Sequence, residues 1–89
     1  MNKKLLVVDD DLPFRERLSR SMEKKGFEVN IAESFSLASE IIETNSYDYA
    51  IVDMRLADGS GLELIKKIQN KSPSTKSLLL TGYGNIATA

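Results

Sequence analysis

The chain has 89 residues, with 12 Lys and Arg against 13 Asp and Glu and a formal net charge of −1, which excludes a multidomain protein and offers neither nucleic acid nor a membrane a charged surface. It contains no cysteine and no histidine, so a disulfide framework, a thiolate metal site and the commonest zinc ligand are excluded, and any metal must be a hard cation held by oxygen. Its 42% hydrophobic content suits one small domain, and a chain this short buries roughly 60–65% of its unfolded surface.

The opening Met1-Asn2-Lys3-Lys4 and the four apolar residues after it are too short for a secretory signal, and the run ends in acids, so a cytoplasmic location is expected. Leu5-Leu6-Val7-Val8, stopped by Asp9-Asp10-Asp11, reads as a buried parallel strand. A first helix is predicted from Asp11 as its N-cap, with Pro13 in the first turn, Phe14, Leu18 and Met22 as the buried stripe and Gly26 as the stop. Phe27-Glu28-Val29-Asn30-Ile31 alternates apolar and polar, the pattern of a half-buried strand at a sheet edge. Ser34 is placed to cap a second helix with Leu37, Ala38, Ile41 and Ile42 facing inward.

Tyr49-Ala50-Ile51-Val52 repeats the first strand's pattern and ends in Asp53. Arg55-Leu56-Ala57-Asp58-Gly59 is a turn in which Asp58 is structural. Ser60 and Glu63 have capping-box spacing and open a third helix with Leu62, Ile65 and Ile68 inside. After the loop Lys71-Ser72-Pro73-Ser74, a fourth strand runs from Lys76 to Thr81. Gly82-Tyr83-Gly84-Asn85 is expected to be a flexible loop carrying Tyr83 on the surface, and Ile86 to Ala89 the first turn of an unfinished helix. The triple leucine 78–80 expects a flanking strand, so the chain reads as a single domain over 1–89, truncated at its carboxyl end. An open fourth-strand edge predicts self-association, either edge to edge or by swapping the last segment.

The alternation of strands and helices argues for an α/β fold with a parallel sheet. In such sheets, ligands bind outside the carboxyl ends of the strands. Asp9 and Asp10 end one strand, Asp53 a second and Thr81 a third, so acids and a hydroxyl converge on one oxygen-lined pocket. Mg²⁺ suits that donor set, since it is held by one or two carboxylates and phosphate oxygens. A carboxylate nucleophile beside it suffices for phosphoryl transfer, which is mostly positioning and charge neutralisation. Asp11 is read as a helix cap rather than a ligand, and Arg15, Lys24-Lys25 and Lys66-Lys67 as solvated charges.

Val7-Val8-Asp9-Asp10-Asp11, Ile51-Val52-Asp53-Met54-Arg55-Leu56, Asp58-Gly59-Ser60-Gly61-Leu62 and Leu79-Leu80-Thr81-Gly82 resemble the receiver domain of bacterial two-component response regulators, closest to the redox- and photosynthesis-type global regulators. The resemblance implies a flavodoxin-like, CheY-like three-layer fold with strand order 2-1-3-4, lacking the family's fifth strand and last helix. It implies that Asp53 is the phospho-acceptor served by a sensor histidine kinase. It also implies that Asp9, Asp10, Asp53 and the backbone carbonyl of Arg55 hold Mg²⁺, and that Thr81 is the switch hydroxyl. Control of transcription would pass through an output domain, and this segment itself would bind no nucleic acid. The family's lysine and aromatic switch residue on a fifth strand have no counterpart before Ala89, and Ala57 stands where many relatives carry proline.

A competing reading is a phosphatase of the haloacid-dehalogenase type, with Asp9 as nucleophile in an Asp-x-Asp start and Leu78-Leu79-Leu80-Thr81 as a second motif. The chain has no later acidic pair and too little length for a cap. The lack of a Gly-x-Gly-x-x-Gly after the first strand argues against a dinucleotide-binding domain.

Overall fold

The computed structural model describes residues 2–81 in full and the backbone course of residues 86–88. The expected loop at 82–85, with Tyr83, lies outside the described residues. The elements in chain order are β1 (Lys4–Val8), α1 (Leu12–Lys24), β2 (Glu28–Ala32), α2 (Phe35–Thr44), β3 (Tyr49–Asp53), β4 (Arg55–Leu56), β5 (Gly59–Ser60), α3 (Gly61–Lys71), β6 (Lys76–Leu80) and β7 (Ile86–Thr88).

The main sheet has the order β2-β1-β3-β6-β7, and its first four strands are parallel. Taken over the four long strands this is the expected 2-1-3-4 order. Because side chains alternate across a strand, β1 feeds two cores. Leu5 and Val7 pack with Ile51, Leu18 and Met22 on the α1 side, while Leu6 and Val8 pack with Ala38, Ile42, Leu64, Ile65 and Ile68 on the α2 and α3 side. The result is three layers with the sheet in the middle. β2 lies at the edge, as its alternation predicts, and Ile31 is left 44% exposed there.

Local chemistry accounts for the helix ends. Asp11 accepts from the amide of Phe14 at 3.2 Å and Ser34 from that of Leu37 at 3.0 Å, so both predicted N-caps form. Gly26 ends the turn after α1 at φ +99°, a conformation that glycine adopts without Cβ strain.

Four expectations are corrected. Residues 86–88 form a strand, not a helical turn, and β7 pairs antiparallel with β6, Leu80 facing Ile86 and Leu78 facing Thr88. Ile86 and Thr88 are β-branched and suit a strand, and the pairing satisfies backbone groups along β6. The fourth strand's edge is therefore not open, and edge-to-edge pairing through it loses its basis. Ser60 stands at the N-cap of α3 without a side-chain capping bond, because the β4–β5 hairpin holds it opposite Arg55. Leu62 is 45% exposed; the inward face runs through Gly61, Leu64, Ile65 and Ile68, a phase set by Gly61 lying against β3. Leu37 likewise faces outward from α2, at 37% exposure.

Candidate functional site

Strand register brings the acids together. Val8 pairs with Val52, and Val52 with Leu79, so one step onward Asp9, Asp53 and Leu80 lie level at the carboxyl ends of β1, β3 and β6. Thr81 follows directly, half-buried beside them in sequence order. In a parallel sheet all these ends open on the same side, where the strand-to-helix loops also lie.

Asp9, Asp10 and Asp53 each offer a carboxylate oxygen within 4.8 Å of the others. Asp9 is buried at 5% exposure and accepts the amide of Asp11 at 2.9 Å. Burial pushes its carboxyl above the ordinary range; that amide pulls it back, and the charges of Asp53, Asp10 and Asp11 push it up again. Asp53 is also raised, first by burial, against the Arg55 amide that favours its ionised form, and then by Asp10 and Asp11. Burial is the leading cause in both carboxyls, and the neighbouring acids add to it. An all-oxygen set this compact fits a hard divalent cation such as Mg²⁺, which would lower both.

Asp10 projects outward and accepts the amide of Ala57 at 3.1 Å. Arg55 faces Ser60 across the β4–β5 hairpin. The bond from the Gly61 amide to the Met54 carbonyl (2.9 Å) makes 54 and 61 a hydrogen-bonded pair. Pairs alternate in an antiparallel ladder, so the Arg55 carbonyl at the next pair is not consumed by the hairpin. The Met54 amide bonds the Leu80 carbonyl at 2.7 Å, tying the segment after Asp53 to the end of β6. A Cβ on residue 61 would collide with the Asp53 carbonyl oxygen, so glycine is what lets α3 start directly against the end of β3.

Three residues stand differently from, or beyond, the sequence reading. Arg15 is not solvated: it is 6% exposed, and its Nη1 donates to the Asp9 carbonyl at 2.7 Å. Its place one turn into α1, on the face turned to the sheet, was the only available signal. Asp58, read as a structural turn acid, reaches across to α2 and accepts the amides of Phe35 at 2.8 Å and Ser36 at 3.0 Å. Those two bonds hold its carboxyl below the ordinary range. Ala57, noted only as a departure from proline, supplies the amide bound by Asp10.

A profile of the response regulator receiver domain matches residues 5–89. The chain is 46% identical over 88 residues to the photosynthetic apparatus regulatory protein RegA of Rhodobacter capsulatus, covering 99% of this chain and 48% of that protein. It thus spans about half the length of that curated relative. Among solved structures it superposes on a response regulator protein from Burkholderia pseudomallei with a phosphorylated aspartic acid, calcium ion and citrate, at TM-score 0.86 and 33% identity over 92% of this chain and 48% of that one. It also superposes on the response regulator TrrA from Thermotoga maritima in complex with Mg²⁺ and BeF, at TM-score 0.84 and 36% identity over 91% of this chain and 70% of that one.

Proposed function

The chain belongs to the response regulator receiver domain family of two-component systems, and we propose that Asp53 is its phospho-acceptor, with Asp9 and Asp10 completing a Mg²⁺ site. The observation that carries this reading is the gathering of the three carboxylates within 4.8 Å at the carboxyl ends of β1 and β3. Asp9, Asp10, Asp53 and the Arg55 carbonyl would hold the ion. A bound Mg²⁺ supplies the positive charge that offsets their mutual repulsion and that of an incoming phosphoryl group.

The protein's own part in the chemistry is positional. A carboxylate oxygen of Asp53 forms the new bond to phosphorus as the P–N bond of a phosphohistidine on a sensor histidine kinase breaks, and the electron pair leaves with the imidazole nitrogen. The product is an acyl phosphate on Asp53, which water later cleaves. Thr81, next to the Leu80 that faces Asp53 across the sheet, is proposed to donate its hydroxyl to a phosphoryl oxygen. The neighbours described with a phosphorylated aspartic acid and in complex with Mg²⁺ and BeF support this chemistry on the same fold. The segment is thus regulatory and no conventional enzyme, although it promotes its own phosphorylation and dephosphorylation. Transcription control through an output domain, with no nucleic acid bound by this segment itself, and a cytoplasmic location complete the proposal. No helix among the described residues is long and apolar enough to cross a membrane. Any self-association is assigned to exchange of β7 between two chains, which would preserve its ladder with β6.

The test is incubation with a small phospho-donor and Mg²⁺, followed by mapping of the acyl phosphate. Label on Asp53, lost in Asp53→Asn, is expected. Label on Asp9 would overturn the assignment and favour the phosphatase reading.

A further inference from the structure

α2 begins with three amides that need acceptors, and it has no acid in its first turn. Ser34 serves Leu37, while Phe35 and Ser36 are served by Asp58, more than 20 positions further along the chain. The same short loop holds Asp10 through the neighbouring residue, since the Ala57 amide donates to Asp10 Oδ2 at 3.1 Å. Contact reinforces the bonds: a Cβ on Gly59 would fall 2.7 Å from Cγ of Phe35, so the loop and the first residue of α2 are already packed without slack. On the other side Lys67 of α3 sets its Nζ 5.3 Å from the Phe35 ring centroid. The path from a pocket carboxylate to the amino end of α2 is therefore two adjacent residues long.

We propose that Ala57 and Asp58 form a lever between the acidic pocket and the first turn of α2, so that a cation engaging Asp10 repositions that turn. The two are positioning residues, since neither contributes a side chain to the pocket. The mechanism is a competition for one carboxylate. A cation drawing on Asp10 weakens or redirects its acceptance of the Ala57 amide, and any movement of residue 57 carries Asp58 and the two amides it caps. Coupling of this kind is reciprocal: loosening the cap must change cation affinity by the factor with which the cation loosens the cap. Proline at 57 deletes the donor, because it has no amide hydrogen. Alanine at 58 deletes the cap while leaving Asp10 and Ala57 untouched.

The inference rests on the reading of Asp9, Asp10 and Asp53 as a cation site, and the experiment separates the two. Amide NMR of the protein is followed while Mg²⁺ alone is added, in wild type, Ala57→Pro, Asp58→Ala and Ser34→Ala. Wild type is expected to shift at Asp9, Asp10 and Asp53 and, at the same midpoint, at Phe35 and Ser36. Both lever variants should keep the pocket shifts and lose those of Phe35 and Ser36. Ser34→Ala, which weakens the local cap alone, should keep both sets. Pocket shifts without Phe35 and Ser36 shifts in wild type would overturn the lever and leave the cation site standing. Persistence of both sets unchanged in Ala57→Pro and Asp58→Ala would likewise overturn the lever alone. An absence of pocket shifts in wild type would overturn the site and the lever together. Because the wild-type titration is decisive by itself, a variant that folds poorly does not protect the proposal.

Discussion

The buried guanidinium of Arg15 donates from Nη1 to the carbonyl oxygen of Asp9 at 2.7 Å. This bond pins α1 to the end of β1 at the residue where the acidic pocket begins. It also satisfies a carbonyl that lies beyond the sheet ladder, where an unpaired acceptor is costly. Arg15 Nε is buried without a partner among the described residues, so the interaction rests on one side of the guanidinium.

Arg15→Met is therefore expected to destabilise the fold by about 1–3 kcal/mol, the range for orphaning a buried acceptor bonded to a charged donor. Arg15→Lys should recover part of the loss, since an ammonium can donate but lacks the planar fork. Urea unfolding of the three proteins measures this. Equal midpoints for wild type and Arg15→Met would show that the bond contributes nothing.

Stability should depend on pH and Mg²⁺ together. Asp9 and Asp53 have folded-state pKa values above their ordinary ones. For a raised acid the folded state binds the proton better, so ionisation at neutral pH is a penalty, relieved as pH falls from the folded pKa toward the ordinary 3.8. Asp58 acts in the opposite sense: its pKa is lowered, so its contribution is present above 3.8 and is lost as pH falls through the folded value. Added Mg²⁺ should raise the thermal midpoint at neutral pH, by the linkage between ligand and fold, and should do so progressively less on acidification. A Mg²⁺ effect that grows toward acid pH would contradict the assignment of Asp9 and Asp53 as ligands.

Gly61→Ala should be among the costlier single changes. The new methyl overlaps the carbonyl of Asp53 and approaches Cα of Met54, both backbone atoms that cannot swing aside. Overpacking of this kind costs about 1–3 kcal/mol and more where backbone must move. Since the atom displaced belongs to Asp53, phosphorylation should fall as well, and parallel measurement of unfolding and acyl phosphate yield checks both. Full yield in a destabilised Gly61→Ala would show that Asp53, the proposed acceptor, tolerates movement of its own backbone.

The elements were legible in the sequence wherever one residue's chemistry suffices. Asp11 and Ser34 cap because their short oxygens reach amides three positions on, and Gly26 turns because it has no Cβ. The edge position of β2 followed from its alternation, and the site from acids that end apolar runs. What failed was whatever depended on a distant partner. Leu62 has the spacing of a core residue, but the close approach of Gly61 to Asp53 rotates α3 and turns it outward. Residues 86–88 read as helix until the unpaired edge of β6 recruits them as a strand.

By itself the amino-acid sequence determined the α/β alternation and placed Asp9, Asp10 and Asp53 at strand ends, where they do gather, because apolar period and charged strand ends are local properties, while the strand order came from the resemblance to the receiver family. Only the tertiary structure decided that Arg15 is buried under Asp9, that Asp58 caps a helix begun 23 residues earlier, and that Ala57 connects that cap to Asp10. Those roles depend on register and on how helices seat against the sheet, and a polar side chain carries no mark of which distant backbone group will meet it.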